Sequence, residues 1–162
     1  MIEIKKLNED RWQDFRDLRL EALKSDPIAF SSSHEEEQLL PEPAWRERIK
    51  NVLFAVSDNK PVGMIASFHN NRIKTNHVCE IWGMYVRREY RGQGIGNKLM
   101  AAVLEEIQNL KGVTKIIIGV NPAQISTEHL YLKYGFCVVG HLKKEIHVNG
   151  NFYDELILEK YL

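Results

Sequence analysis

Cysteine is scarce in this chain, with only Cys79 and Cys137 among 162 residues, which excludes a scaffold built on disulfides. Both fall in strand-like runs, where a buried free thiol acts as a small hydrophobe, so neither is read as a nucleophile. Charge of one sign is not in excess: 22 basic side chains balance 22 acidic ones. Without a summed field there is no broad attraction to nucleic acid or to an anionic membrane. No apolar run approaches the roughly 18 residues of a membrane span, and the opening "MIEIKKLNED" lacks the apolar stretch of a secretory signal. A soluble, cytoplasmic protein is expected. The six histidines show no metal-ligand spacing, so no metal site is expected. Internal repeats, low-complexity tracts and linkers are absent too, and residues 1–162 are read as one domain.

What is present is a regular alternation of strands and helices. "IEIKKL" reads as a first strand, and Trp12, Phe15, Leu18, Ala22 and Leu23 then recur at helical spacing up to Asp26-Pro27. A loop with one or two short helices follows, its "HEEE" read as a solvated helix start. The runs "VLFAVS" and "VGMIASFH", joined by the turn at Asp58-Asn59, precede "HVCEIWGMYV". Ile95, Leu99, Val103 and Ile107 mark a helix that stops near Gly112. "KIIIGV" is a buried strand, "STEHLYLKY" a helix, and the last two runs form a hairpin about Asn149-Gly150. The order implies an α/β domain with a mixed sheet.

Between the fourth of these strands and its helix lies "YRGQGIGNKL", with Gly92, Gly94 and Gly96 at every second position. A nucleoside triphosphate loop needs lysine directly after its last glycine, and here Asn97 follows Gly96. A dinucleotide fingerprint needs G-x-G-x-x-G after the first strand, which this is not. What remains is R-x-x-G-x-G, Arg91 to Gly96. Glycines let backbone N–H groups turn inward and the helix N-terminus adds partial positive charge, so a pyrophosphate fits.

The segment "EIWGMYVRREYRGQGIGNKLM", followed by "NPAQISTEHLYLKYGF", resembles the cofactor-binding half of the GNAT superfamily of acetyl-CoA-dependent N-acetyltransferases. The resemblance implies a GNAT-like fold, a mixed sheet of about seven strands flanked by about four helices. It implies acetyl-CoA as co-substrate, transfer of its acetyl group to a primary amine by direct attack in a ternary complex, and no metal. The pyrophosphate would lie on Arg91, Gly92, Gln93, Gly94, Ile95, Gly96 and Asn97. Pantetheine would pair like an extra strand with the backbones of Met84, Tyr85 and Val86, where Gly83 marks a bulge. Asn121 and Gln124 would complete the cofactor site, although Gln124 and Thr127 stand where the family often has N-x-x-A.

Two side chains are assigned chemistry. An amine with the ordinary lysine pKa of about 10.4 arrives protonated and needs a base. Glu80, in the apolar setting "VCEIW", is the candidate, since burial would raise its pKa; a water chain is the alternative. The next strand, "IIIGVN", offers no carboxylate. Tyr131 matches the family's tyrosine general acid, with Tyr134 nearby as a packing residue. The acceptor is open between a small-molecule amine and a protein amine. Trp45, Glu35, Glu36, His147, Tyr153, Asp154 and Glu155 are candidates to line its groove. A non-catalytic acetyl-CoA-binding sensor or interaction domain is the rival reading, and a nucleic-acid module is disfavoured. The final strand, expected near a sheet edge with Tyr153, Ile157 and Tyr161 on its outer face, suggests a homodimer.

Overall fold

The structure, a computed structural model, describes residues 1–162. Seven strands form one sheet: β1 (Glu3–Lys5), β2 (Val52–Ser57), β3 (Lys60–His69), β4 (Val78–Val86), β5 (Lys115–Val120), β6 (Cys137–Val148) and β7 (Asn151–Tyr161). The helices are α1 (Trp12–Ser25), α2 (His34–Glu37), α3 (Glu42–Ile49), α4 (Ile95–Gln108) and α5 (Ile125–Lys133). That makes five where about four were expected, the extra one being the single turn α2. Spatial order is β1-β2-β3-β4-β5-β7-β6, and only β4 and β5 run parallel.

Both faces of the sheet are covered. Alternation along β3 sends Ile65 to one core, under Leu99, Met100, Val103 and Ile107 of α4, and Met64 and Ala66 to the other, under Phe15 and Leu18 of α1 and Trp45 of α3. A strand buried on both sides reads as a continuous apolar run, which explains "VGMIAS". The turn between β2 and β3 has positive φ at both Asp58 and Asn59, the backbone that matches the twist of a tight hairpin. No helix is long and apolar enough to cross a membrane.

Several expectations are corrected. Strand β7 lies next to an edge, as expected, but it is paired on both sides, to β5 and to β6, so the edge strand at that end is β6. Trp45 is fully buried in the core and lines no groove. The "HEEE" turn is not wholly solvated, because Glu37 points inward and is buried. Cys137 is exposed while Cys79 is buried.

Two local features position the site. Opposite the single residue Ile65 of β3, β4 sets two, Gly83 and Met84, one more than regular pairing, since Ala66 pairs with Trp82 but Met64 with Tyr85. Gly83, at φ +67, takes up the extra length, a conformation that costs L-residues with a Cβ about 1–2 kcal/mol. Strands β4 and β5 pair only from Val78 to Ile81 and from Lys115 to Ile118. Beyond that they part, leaving β4 without a neighbour on the β5 side from Trp82 onward.

Candidate active site

The parted strands open a cleft of about 1100 Å³ walled by β4 from Ile81 to Val86, by the turn into α4, and by the start of α5. At its mouth Gly92 (φ +76) and Gly94 (φ +74) take the left-handed conformation, and a Cβ at either would meet nothing within 4 Å. None of the N–H groups of residues 92 to 97 donates to an acceptor in the chain. Six consecutive free amides at a helix N-terminus are an anion cradle. At Gly96 a Cβ would press on Met84 Cε at 3.1 Å, so glycine there lets α4 approach β4 closely.

The expected cofactor residues divide into those that face the cleft and those that support it. Arg91, Gly92, Gly94, Ile95, Gly96 and Asn97 line it, as do Met84, Tyr85, Val86 and Gln124. Gln93 is turned away, its amide donating to the Glu89 carbonyl at 3.3 Å. Arg91 donates to the Val86 carbonyl at 2.8 Å and to Asp26 at 2.5 Å, which ties the loop to the end of α1. Asn121 is buried and fully engaged: its amide donates to the Ile28 carbonyl at 3.1 Å, and its Oδ1 accepts from the Ala123 N–H at 2.9 Å. It fixes the cleft wall.

Tyr131 is buried in the cleft wall with its hydroxyl directed at Met84 Sδ, 3.8 Å away. Burial pushes this phenol well above its ordinary pKa, so it stays protonated. Tyr134 donates to the Asn97 carbonyl at 3.0 Å and joins α5 to α4, a packing role. The Tyr85 hydroxyl lies on the far side of β4, 3.1 Å from Glu21 and 3.1 Å from Ser25.

Glu80 is exposed, so the burial expected of it is absent. Strand alternation puts it on the sheet face that carries Trp82 and α1. A second carboxylate reaches the same face. Glu155 of β7 lies across β5, with its Oε1 only 2.5 Å from where a Cβ at Gly119 would be. The strand that offers no carboxylate of its own thus has one laid over its glycine. Burial first, then the charges of Glu145 and Glu80, push the Glu155 carboxyl up. The hairpin pattern held no signal for this, because the contact depends on β7 pairing back onto β5.

Three further charged groups meet behind Gly83. Arg19 and Glu37, both buried, form a bidentate pair at 3.0 and 2.9 Å, and Arg48 reaches the same carboxylate at 3.3 Å. Burial alone would push the Glu37 carboxyl up; the two guanidinium groups outweigh it and hold it below the usual carboxylate range. Arg19 sits within the apolar stripe of α1, four residues after Phe15 and three before Ala22. That placement was the available sign of a buried arginine.

The Acetyltransferase (GNAT) family model matches residues 5–136. Among curated proteins, the L-amino acid N-acetyltransferase AaaT of Escherichia coli is 28% identical over 115 residues, 68% of this chain and 70% of that one. The N-acetylaspartate synthetase of Xenopus tropicalis is 34% identical over 92 residues, 57% of this chain and 32% of that one. An acetyltransferase of the GNAT family from Streptococcus pneumoniae superposes with a TM-score of 0.89 at 18% identity, covering 100% of both chains. The yncA protein of Salmonella typhimurium, solved with its cofactor acetyl-CoA, superposes at 0.84 with 16% identity, covering 100% of this chain and 94% of that one. With a parted β4–β5 pair, a bulge at Gly83 and a free-amide loop opening α4, the chain belongs to the GNAT family of acetyltransferases.

Proposed function

We propose that this protein transfers the acetyl group of acetyl-CoA to the primary amine of a small molecule, by direct attack in a ternary complex. The observation that carries the reading is the run of free amides at residues 92 to 97, set at the mouth of a cleft between parted strands. A pyrophosphate suits that cradle, since a linear array of N–H donors at a helix N-terminus favours charged oxygens. The open edge of β4 at Met84, Tyr85 and Val86 offers backbone groups to the pantetheine amides, as an edge strand offers them to an added strand. Gln124 faces the same cleft. Bound there, acetyl-CoA supplies a thioester whose carbon accepts the amine. The names of relatives that act on amino acids support a small acceptor.

The residues then divide the proton traffic. Glu80 and Glu155 provide the base site on the acceptor face. The Glu155 carboxyl, already pushed up by burial and by its neighbours, moves toward the range where a base works best. This carboxylate pair first takes a proton from the ammonium, which frees the nitrogen lone pair to bond to the acyl carbon, and the second proton then leaves the nitrogen to water through the same site. Donors at the Gly83 bulge face the charge that develops on the acyl oxygen. The carbon–sulfur bond breaks, and Tyr131, held protonated, gives its proton to the departing sulfur.

The edge strand β6 exposes Val138, Val139 and Leu142, and we infer a homodimer through it. Light scattering at micromolar concentration tests that inference, and a monomeric mass refutes it. For the reaction, the test is release of free thiol from acetyl-CoA across polyamines, amino acids, aminoglycosides and peptides. Turnover of small amines supports transfer. Saturable binding of acetyl-CoA with no thiol release across the panel supports the sensor reading instead.

A further inference from the structure

Only two buried side-chain nitrogens in the protein lack a hydrogen-bond partner, and both belong to the cluster behind Gly83: Nη1 of Arg19 and Nη1 of Arg48. Their shared carboxylate, Glu37, accepts from Arg19 Nε and Nη2 and from Arg48 Nη2, and from neither Nη1. Two guanidinium groups and one carboxylate leave a charge of +1, together with free N–H donors. A buried donor without an acceptor is costly, and an arginine more so. A water can satisfy such donors, but the net charge of +1 favours an anion there.

Its place is set by what surrounds it. Arg19 and Arg48 lie over the Trp82 ring at 5.4 and 5.5 Å, and Arg19 also lies 4.9 Å from the Phe30 ring. Trp82, Phe30 and Gly83 all line the cleft. Around a Cβ built at Gly83, the only heavy atom within 4 Å is Arg19 Nη1, at 3.6 Å. Arg19 Nη1 is itself cut off from solvent and lies one layer behind the cleft wall, beside the place a Gly83 side chain would fill. On the same sheet face as Trp82, and two residues back from it along β4, stands Glu80, with Glu155 beside it over Gly119. At about 3.3 Å per residue, these negative and positive poles are about 7 Å apart along the strand.

We propose that Arg19 and Arg48 form a carboxylate-binding subsite for the acceptor, which is an amino-acid-type zwitterion whose ammonium points toward Glu80 and Glu155. A planar carboxylate matches the fork of a guanidinium better than other small acceptors do. Glu37 is a positioning residue that keeps both forks in place. The inference rests on the acetyl-transfer reading and adds the class of acceptor to it.

The test compares matched amines by thiol release: L-lysine with cadaverine, and L-methionine with L-methioninamide. In the wild-type protein each carboxylate-bearing amine should have a kcat/KM about 10- to 100-fold above its counterpart. In Arg48→Gln, which leaves the Arg19–Glu37 pair in place, that ratio should fall toward one through a rise in the acceptor KM, while calorimetry shows acetyl-CoA affinity unchanged. Equal or better turnover of cadaverine and L-methioninamide by wild type overturns the subsite and leaves acetyl transfer standing. An unchanged ratio in an Arg48→Gln protein that binds acetyl-CoA normally also overturns it. Thiol release with none of the four amines overturns this inference; the transfer reading falls with it only if the wider amine panel is silent as well.

Discussion

Replacing Gly94 with aspartate separates ligand binding from folding with unusual clarity. At φ +74 the residue is left-handed, and a Cβ there meets nothing within 4 Å, so the cost is backbone strain alone. That strain is about 1–2 kcal/mol for ordinary L-residues and smaller for aspartate, which enters the left-handed region more readily. Stability should therefore change by less than about 1.5 kcal/mol. The ligand meets a different balance. A carboxylate about 5 Å from one phosphate charge repels it by about 3 kcal/mol at an effective dielectric constant of ~20, and by about 0.8 kcal/mol in bulk water. Gly94 is exposed, so an intermediate of about 2 kcal/mol per charge applies, over about two charges of pyrophosphate. Salt screening trims the sum, and the expected loss is about 10²- to 10³-fold in acetyl-CoA affinity. Gly112 supplies the matched control, left-handed at φ +87 with the same free surroundings but beyond the C-terminal end of α4. Gly112→Asp should destabilise at least as much and leave affinity untouched. Calorimetric titration with acetyl-CoA, beside thermal unfolding of both variants, gives the answer. A folded Gly94→Asp protein with affinity within about threefold of wild type would refute the cradle, because repulsion of this size cannot vanish at contact range.

Other outcomes follow from the same geometry. Tyr131→Phe should lower kcat and spare the KM for acetyl-CoA. It gives up only a weak contact to Met84 Sδ, so it should unfold within about 1 kcal/mol of wild type. Because burial raises the phenol, the wild-type rate should show no loss of this acid up to about pH 10, the ordinary tyrosine value. The same shift makes its share of stability full below about pH 10 and lost as pH rises from there toward the folded value; a rate limb assigned to Tyr131 near pH 8 would contradict it. Glu155→Gln should cut the rate by about 10²- to 10⁴-fold and remove the acid limb of the pH profile. Glu80→Gln removes one of the charges that push Glu155 up, so any acid limb that survives should move to lower pH; a limb that stays in place argues for an unlinked base. A thiol reagent applied to the native protein should label exposed Cys137 and spare Cys79, whose thiol is buried and pushed up to about 11; rapid labelling of both would show that the β4 core opens.

What the sequence disclosed and what it withheld follow a physical division. Features whose cause is local were legible. The left-handed glycines before α4, the bulge at Gly83, the two tight hairpins and the apolar stripe of α4 are each dictated by residues within a few positions of one another. The cleft could be read because its loop and strand adjoin in sequence. The polar cluster could not. Arg19 and Glu37 are 18 residues apart, on helices whose packing is set by the intervening loop. An acidic run such as "HEEE" looks solvated until one knows that its last residue meets two arginines. Glu155 illustrates the same limit, since its approach to Gly119 depends on the β5–β7 pairing, and Trp45 looked like groove lining because aromatic exposure is not written in the chain. Residues proposed to bind the shared co-substrate were therefore the easier part. Those proposed to face the acceptor come from α1, α2, α3, β4 and β7, and only the folded sheet brings them together.

Initial-rate kinetics of thiol release, with acetyl-CoA and an accepted amine both varied, tests direct transfer most plainly. If the amine attacks the thioester while both are held in the cleft, reciprocal plots at fixed acetyl-CoA concentrations intersect, and the enzyme recovered after turnover carries no acetyl group. Parallel lines together with a stable acetyl-enzyme would contradict the account, since they would require a nucleophile on the chain and displace Glu80, Glu155 and Tyr131 from the roles assigned to them.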